Sequence, residues 1–235
     1  MDDILLLDDI HTYYGKSYII QGLSLKVGMG SVAGLIGRNG MGKTTTMRST
    51  IGFAPVSRGR VFFKGMDITA LPPFKRCHRG MTIVPQGRRI FPSLTVQENL
   101  SVAERHDKKR ISWNMDKVFS LFPRLEERIN NRGNELSGGE QQMLAIARAL
   151  VSDPDLILMD EPSEGLAPLI IQKISCIIRQ LKQRGLSILV AEQNIPMVLA
   201  IADYAYVVNK GKIALEGIPE ELLNNEGAKS EYLAI

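Results

Sequence analysis

The chain has 235 residues, of which 44% are hydrophobic and 23% charged, and its formal net charge is +4. This composition excludes an intrinsically disordered chain, and the length is sufficient to bury a core without disulfides or metals. The basic excess is small, and its densest run, at residues 108–110, has no interleaved aromatic side chains on which bases could stack. We therefore expect no nucleic-acid partner.

Short apolar segments with tight connections characterise the N-terminal region. Ile4 to Thr12, Leu23 to Val27 and Val61 to Lys64 are predicted strands, which together indicate an antiparallel β patch. From about Val32 to Val208, short apolar runs alternate with longer helical patterns. That alternation is typical of parallel strands joined by crossover helices, so the sequence predicts an α/β fold with a mainly parallel core sheet.

Three apolar runs are nearly continuous, as expected for strands that are buried on both faces: Val32 to Ile36, Leu156 to Met159 and Ile188 to Ala191. The clearest helix is predicted from about Pro168 to Arg184, because its apolar residues recur at helical spacing and a glycine follows. No run of about 18 apolar residues occurs, so no membrane-spanning helix is predicted.

The stretch from about Thr95 to Ala149 has mainly helical patterns and interrupts the α/β alternation. We therefore expect one domain over residues 1–235. Its core comprises about residues 1–86 and 154–235, and a helical subdomain of about residues 87–153 is inserted between them.

A phosphate-binding loop pattern is carried by eight consecutive residues: Gly37, Arg38, Asn39, Gly40, Met41, Gly42, Lys43 and Thr44. Glycines let the backbone turn tightly and bring its N–H groups against phosphate. A helix predicted to start near Gly42 directs its unpaired N–H groups and positive dipole end at the same place. Lys43 can reach the β- and γ-phosphates, the Thr44 hydroxyl can bind Mg²⁺, and Thr45 is expected to add a phosphate contact.

Two carboxylates, Asp160 and Glu161, follow the apolar run that begins at Leu156. The carboxyl end of a strand in a parallel sheet opens onto the crevice where ligands bind. Asp160 is placed to hold Mg²⁺, and Glu161 to polarise the attacking water. Together with the phosphate-binding loop, this pair predicts a P-loop NTPase.

A third motif resembles the signature sequence of ABC ATPases, and its residues are Leu136, Ser137, Gly138, Gly139, Glu140 and Gln141. A serine and two glycines before a helix, here predicted from Glu140 through Ala149, form an anion site or simply a capped helix start. The resemblance implies that two subunits pack head to tail. In that arrangement Ser137, Gly138 and Gly139 of each subunit contact the ATP held by the other.

The same resemblance implies further site residues. Tyr14, with Tyr13 as the neighbouring alternative, resembles the aromatic residue that stacks on adenine. Gln86 resembles the glutamine that touches Mg²⁺ and begins the segment facing the membrane partner. Gln193 stands where the family usually has a histidine that contacts the γ-phosphate, and a glutamine can donate a hydrogen bond there but cannot titrate. Ala167 replaces the family's usual aspartate.

The segments at residues 163–168 and 192–194 resemble the ATPases of branched-chain amino-acid importers, and the length is similar to the smaller of the two such ATPases. Importers of urea or short amides share these features. The resemblance implies ATP and Mg²⁺ as cofactors. It also implies a head-to-tail ATPase dimer, either a homodimer or a pair with a similar ATPase, transmembrane permease subunits and, indirectly, a solute-binding protein. The expected location is the cytoplasmic face of the cell membrane.

Two other functions are alternatives to transport. An ABC ATPase that acts on DNA or the ribosome usually carries two cassettes or a long coiled coil, and the sequence has neither. A regulatory module that binds ATP without turnover is disfavoured because Lys43, Asp160 and Glu161 are all present.

Overall fold

The computed structural model describes residues 2–104 and 113–224, so the basic run at residues 108–110 lies outside the described residues. The strands are β1 (Asp3–Tyr14), β2 (Ser17–Gly28), β3 (Val32–Ile36), β4 (Arg58–Phe63), β5 (Met66–Asp67), β6 (Met81–Val84), β7 (Leu156–Asp160), β8 (Ser187–Glu192), β9 (Tyr204–Asn209) and β10 (Lys212–Gly217). The α-helices are α1 (Lys43–Ile51), α2 (Pro73–His78), α3 (Val96–Ser101), α4 (Met115–Leu121), α5 (Pro123–Glu127), α6 (Gly138–Leu150), α7 (Pro168–Gln183), α8 (Ile195–Ile201) and α9 (Pro219–Asn224).

The N-terminal strands form a four-stranded antiparallel sheet in the order β2-β1-β4-β5. This confirms the predicted antiparallel β patch. Both β1 and β2 have 12 residues and are longer than the predicted strands. The added residues at the hairpin, Tyr13, Tyr14, Ser17 and Tyr18, are exposed, so an apolar pattern could not mark them.

A six-stranded sheet in the order β10-β9-β3-β8-β7-β6 forms the centre of the fold. All its pairs are parallel except the edge pair of β10 with β9, which confirms the mainly parallel α/β core. β8 lies between β3 and β7, and the register places Ile36 opposite Glu192 and Asp160 opposite Ala191. The carboxyl ends of these three strands therefore meet at one edge, where ligands bind in open α/β sheets.

Hydrophobic cores cover both faces of the central sheet. Leu35, Leu158 and Leu189 are buried against the antiparallel sheet and α1. Met159 and Val190, which alternate with them along the strands, are buried against α6 and α7. Burying a side chain of this size contributes about 1.5–3 kcal/mol to the free energy of folding. The strands whose ends form the edge are therefore firmly packed on both faces.

A buried cation fixes the far end of α1. Arg76 is 2% exposed. Its Nη1 donates to the carbonyls of Ser49 (2.9 Å) and Thr50 (2.8 Å) in the last turn of α1, and its other nitrogens donate to Leu71 and Thr69. Burial lowers the pKa of Arg76 to about 10, which leaves it charged at neutral pH. A positive charge at the carboxyl end of a helix stabilises it.

Between β6 and β7, the described residues form helices α3 to α6 and no strand, as the predicted helical insertion requires. α7 ends at Gln183, one residue before the predicted end, and Arg184 is its C-cap. No helix in the described part of the chain is both long and apolar enough to cross a bilayer.

Candidate active site

The predicted phosphate-binding loop connects β3 to α1. Gly42 is the N-cap of α1 and has φ 110°, in the left-handed region that favours glycine. A Cβ atom at Gly37 would come within 2.7 Å of the Val208 carbonyl oxygen, so the backbone path there excludes a side chain. α1 begins at Lys43, and the N–H groups of its first turn are free of helical partners and can meet a phosphate.

A cavity of about 390 Å³ lies against this loop. Its lining residues are Ile19, Asn39, Gly40, Gly42, Lys43, Thr44, Thr45, Gln86 and Glu161. The sequence predicted all of these as nucleotide-binding, metal-binding or catalytic residues except Ile19, which comes from β2. The cavity thus gathers residues from the phosphate-binding loop, from the segment after β6 and from the end of β7.

Lys43 is buried at the base of the loop, with 3% of its side chain exposed. Its Nζ donates to the carbonyl oxygens of Gly37 (2.7 Å) and Arg38 (3.1 Å). It also forms an ion pair with Oε1 of Glu161 at 2.9 Å. An ammonium has three protons to donate, and these three oxygens occupy them.

Glu161 directly follows β7 and has a φ of 50°, which is strained for a non-glycine residue. Its backbone N–H donates to the Ala191 carbonyl at 2.8 Å, which ties the turn to β8. Oε2 of Glu161 accepts hydrogen bonds from Nε2 of Gln86 (3.3 Å) and Nε2 of Gln193 (3.1 Å). The carboxylate is therefore held by one cation and two side-chain amides from three other segments.

Thr44 and Asp160 lie together beside this group, because the Thr44 hydroxyl donates to Oδ1 of Asp160 at 3.1 Å. Burial raises the pKa of Asp160 to about 6, although the Thr44 hydrogen bond acts in the opposite direction. Hydroxyl and carboxylate oxygens suit Mg²⁺, which is usually held by one or two carboxylates together with waters and substrate phosphates. No cluster of three His, Cys, Asp or Glu residues that could hold a metal occurs among the described residues. The donors present thus fit a Mg²⁺ ion whose coordination is completed by phosphate.

Gln86 connects the first cavity with a second one. Its Nε2 also donates to Oε2 of Glu164 at 3.1 Å. The second cavity has about 520 Å³ and includes Thr44, Gln86, Asp160 and Glu164 in its lining, together with Phe53 and Arg89. Sequence reasoning did not single out Glu164.

The signature residues occupy a different part of the surface. Ser137 is the N-cap of α6, which begins at Gly138, two residues before the predicted start. The Ser137 hydroxyl and backbone N–H both donate to the Glu140 carboxylate, at 2.7 and 2.8 Å. Ser137 and Gly139 line a cavity of about 630 Å³ beside α7 and do not line the cavity at the phosphate-binding loop. Within one chain, the structure does not bring the signature residues together with Lys43.

Two tyrosines at the end of β1 were candidates for stacking on adenine. Tyr13 stacks on Tyr18, with ring centroids 4.4 Å apart and planes 5° apart. Tyr14 is 43% exposed and has no ring–ring contact within the described residues. Tyr14 therefore offers the more accessible ring face, although it does not line the cavity.

Sequence reasoning also missed Glu192, the last residue of β8, whose side chain is 2% exposed. The signal was available, because an acidic residue follows the apolar run Ile188 to Ala191 as Asp160 follows its own run. Gln193, the next residue, was predicted and does reach Glu161.

Comparison with known proteins identifies the family of this chain. The model of the ABC transporter family matches residues 20–164. The high-affinity branched-chain amino acid transport ATP-binding protein BraG of Pseudomonas aeruginosa is 43% identical over 98% of this chain and 99% of that protein. The lipopolysaccharide export system ATP-binding protein LptB of Haemophilus influenzae is 36% identical over 98% of this chain and 97% of that protein.

The fold agrees with that assignment. A nucleotide-free ATP-binding cassette from an ABC transporter superposes with a TM-score of 0.86 and 30% identity, covering 100% of this chain and 99% of the cassette. Lys43 contacts Glu161, and Thr44 contacts Asp160, at the carboxyl edge of the sheet, where ligands bind in open α/β sheets. The chain therefore belongs to the ABC transporter family and is an ATP-hydrolysing subunit of it.

Proposed function

We propose that the cavity at the phosphate-binding loop is the site of ATP hydrolysis and that hydrolysis here drives the import of branched-chain amino acids or related small solutes. The convergence of Lys43, Gln86 and Gln193 on the Glu161 carboxylate is the observation that carries the catalytic part. A carboxylate held at this position by three donors is pre-organised for work on one substrate atom.

Binding depends on the phosphate-binding loop. The loop at residues 37–42 surrounds the phosphates with its backbone N–H groups, except those of Gly37 and Met41, which donate to the carbonyl oxygens of Glu192 and Arg38. Lys43 neutralises them, and Thr45 adds a hydroxyl contact. Thr44, Asp160 and Gln86 hold Mg²⁺, which when bound neutralises charge on the phosphate oxygens. Tyr14 stacks on the adenine ring.

Hydrolysis depends on Glu161. Its carboxylate orients a water for in-line attack on the γ-phosphorus and accepts a proton from that water, while the bond from the γ-phosphorus to the β–γ bridging oxygen breaks and ADP leaves. Gln193 donates a hydrogen bond to the γ-phosphate region and keeps the carboxylate in place. Because an amide does not titrate near neutral pH, Gln193 cannot replace Glu161 as the base.

A second subunit completes each site. Ser137, Gly138 and Gly139 contact ATP held by the partner, in a head-to-tail dimer. The exposed position of Ser137 at the start of α6, on a separate cavity from Lys43, supports this arrangement. We propose a single domain whose helical part, about residues 87–153, moves against the core at about residues 1–86 and 154–235. The segment after Gln86 transmits that motion to permease subunits at the cytoplasmic face of the membrane.

The solute is inferred from relatives. Identity is higher to the branched-chain amino acid transport ATPase (43%) than to the lipopolysaccharide export ATPase (36%), over nearly complete chains in both cases. Together with the segments at residues 163–168 and 192–194, this difference favours import. A solute-binding protein then delivers the substrate to the permease subunits.

Deletion of the gene in its own host tests the transported solute. Uptake of radiolabelled leucine, isoleucine and valine should fall and should be restored by the wild-type gene but not by Lys43→Ala. Unchanged uptake of all three would reject branched-chain amino acids. A defect in lipopolysaccharide export after deletion would instead favour the function of the second relative.

A further inference from the structure

Glu192 contacts three of the segments that build the site. Oε1 of its carboxylate accepts a hydrogen bond from the Ser163 N–H at 2.7 Å. Oε2 accepts from the N–H groups of Gln193 (3.0 Å) and Asn194 (3.2 Å). Its backbone carbonyl accepts from the Gly37 N–H at 3.3 Å, at the start of the phosphate-binding loop. One residue thus links the loops that follow β3, β7 and β8.

The carboxylate of Glu192 is buried without a cation. Glu192 is 2% exposed, and no ion pair within the described part of the chain includes it. A buried charge is costly unless other groups compensate it, and here backbone N–H groups do so. Because those N–H groups belong to two loops, the charge holds both loop backbones in fixed positions relative to each other.

These two loops carry the partners of a site hydrogen bond. The side chain of Gln193 donates to Glu161 at 3.1 Å. Glu192 holds the Gln193 backbone directly, and it holds the turn after Glu161 through Ser163. The strained backbone of Glu161 needs such a restraint, because a left-handed conformation persists only where its surroundings fix it.

We propose that Glu192 is a positioning residue that holds Gln193 against Glu161 and so sets the rate of ATP hydrolysis rather than the binding of ATP. This inference rests on the role given to Glu161 in the proposed function. Glu192→Gln keeps the size of the side chain, but its NH₂ group would face one of the backbone N–H donors. One of the two loops would then lose its acceptor, and the Gln193–Glu161 contact would shift.

A cycle of variants of the full chain tests the proposal: wild type, Glu192→Gln, Gln193→Ala and the double variant. We expect Glu192→Gln to lower kcat about ten- to hundredfold, the scale of a small misplacement of a catalytic group. The KM for ATP should change by less than about twofold, since Glu192 contacts the phosphate-binding loop through its backbone carbonyl, which the substitution keeps. In the Gln193→Ala background, Glu192→Gln should lower kcat by no more than about twofold, because both changes remove the same contact.

Asp203→Asn is the matched control. Oδ2 of Asp203 accepts from the Val32 N–H at 2.9 Å, so it also holds a loop to β3, but at the opposite end of the sheet, and Oδ1 forms an ion pair with Lys182 that the substitution also removes. This variant should lower the Tm and leave kcat unchanged, which separates loss of a structural hydrogen bond from loss of positioning.

Several results would overturn the role of Glu192: wild-type kcat in Glu192→Gln or in Gln193→Ala, effects on kcat that multiply in the double variant, or a rise in KM alone. If Glu192→Gln does not fold, Glu192→Asp replaces it, because the shorter carboxylate cannot span both loops. Failure of both to fold would show that Glu192 serves the fold, and it would also overturn the proposal. Wild-type turnover in Lys43→Ala would instead reject the proposed site itself.

Discussion

Lys43 and Glu161 form a buried ion pair across the candidate active site, with Nζ 2.9 Å from Oε1 and both side chains 3% exposed. In the proposed function, the pair joins the cation that binds phosphate to the carboxylate that polarises water. Under that proposal, phosphate oxygens would compete with Glu161 for the ammonium, and the arrival of the γ-phosphate would change the partner of the proposed base. Substrate binding and preparation of the base are linked through this one contact.

Lys43→Ala should abolish ATP binding and turnover, because it removes the cation at the β- and γ-phosphates and costs several kcal/mol of phosphate stabilisation. It also leaves the Glu161 carboxylate buried without its cation. Removing one partner of a buried pair destabilises a fold by about 3–5 kcal/mol, so we expect a folded chain with a lower Tm.

The double variant Lys43→Ala with Glu161→Gln separates these two effects. It should recover much of the lost Tm, since no uncompensated charge is left, and it should still not bind ATP. Binding is measured with a fluorescent ATP analogue, and unfolding by circular dichroism. Wild-type turnover in Lys43→Ala would show that the phosphates bind elsewhere.

Glu161→Gln removes the water-polarising carboxylate while keeping its size and some of its hydrogen bonds to Gln86 and Gln193. Turnover should fall at least about a hundredfold, the scale of losing a general base. ATP affinity should be retained, because Lys43, Mg²⁺ and the loop N–H groups bind the phosphates. If hydrolysis opens the proposed dimer, this variant should shift from monomer to dimer on gel filtration with ATP.

Gel filtration of Glu161→Gln needs a control that cannot bind the nucleotide. The variant with Lys43→Ala added should stay monomeric with ATP. A near-normal rate of ATP turnover in Glu161→Gln itself would remove Glu161 from the catalytic role.

Asp160 should make Mg²⁺ binding depend on pH. Burial raises the pKa of its carboxyl to about 6, so the group is protonated in a growing fraction of molecules as the pH falls below that value. Only the ionised form binds Mg²⁺, and the apparent Mg²⁺ affinity in the ATPase assay should therefore drop. More Mg²⁺ should move the midpoint of the pH profile to lower pH. If the midpoint of the pH profile did not change with the Mg²⁺ concentration, the assignment of Asp160 as a Mg²⁺ ligand would be contradicted.

The contribution of Asp160 to folding stability should change with pH in the direction opposite to that of Mg²⁺ affinity. The pKa of Asp160 is raised from 3.8 to about 6 in the folded chain, so the folded state binds more protons than the unfolded state between those values. The contribution of Asp160 to stability is therefore present at low pH and is lost as the pH rises through about 6. Asp160→Asn should then unfold at a higher Tm than wild type above that pH, with turnover lost. A lower Tm for Asp160→Asn in that range would refute the raised pKa.

Much of the core and the phosphate-binding loop could be predicted because local pattern determines them. Val32 to Ile36 is a strand with the predicted bounds, since a run that is buried on both faces is apolar throughout. The predicted run from Leu156 is extended only by Asp160. The backbone geometry of the loop requires its glycines, and their spacing can be seen directly in the sequence.

The contacts around Glu161 could not be predicted, because they depend on how separate loops meet. Nothing in the sequence indicates that Gln86 and Gln193 share one carboxylate oxygen, or that Glu164 is a second acceptor for Gln86. Ala167 was identified only as a departure from the family pattern. The structure places it at the N-cap of α7, where it provides no side-chain acceptor for the helix N–H groups.

Ser137 is a predicted site residue that the structure leaves apart from Lys43. It caps α6 and lines a different cavity from Lys43. A residue of this kind can act on ATP only if a second subunit brings it to the phosphates. Ser137→Arg should therefore block hydrolysis at the partner's site, by bulk and by loss of the serine, while its own phosphate-binding loop stays intact.

Mixing two inactive variants tests this arrangement. In a dimer of one Ser137→Arg subunit with one Lys43→Ala subunit, one composite site carries both defects and the other carries neither. ATP turnover should return in part, although each variant alone is inactive. If both residues acted within the same chain, every site in the mixture would carry one defect and no activity would return. Differently tagged subunits, purified in sequence over both tags, establish that mixed dimers form; their inactivity would reject the head-to-tail site.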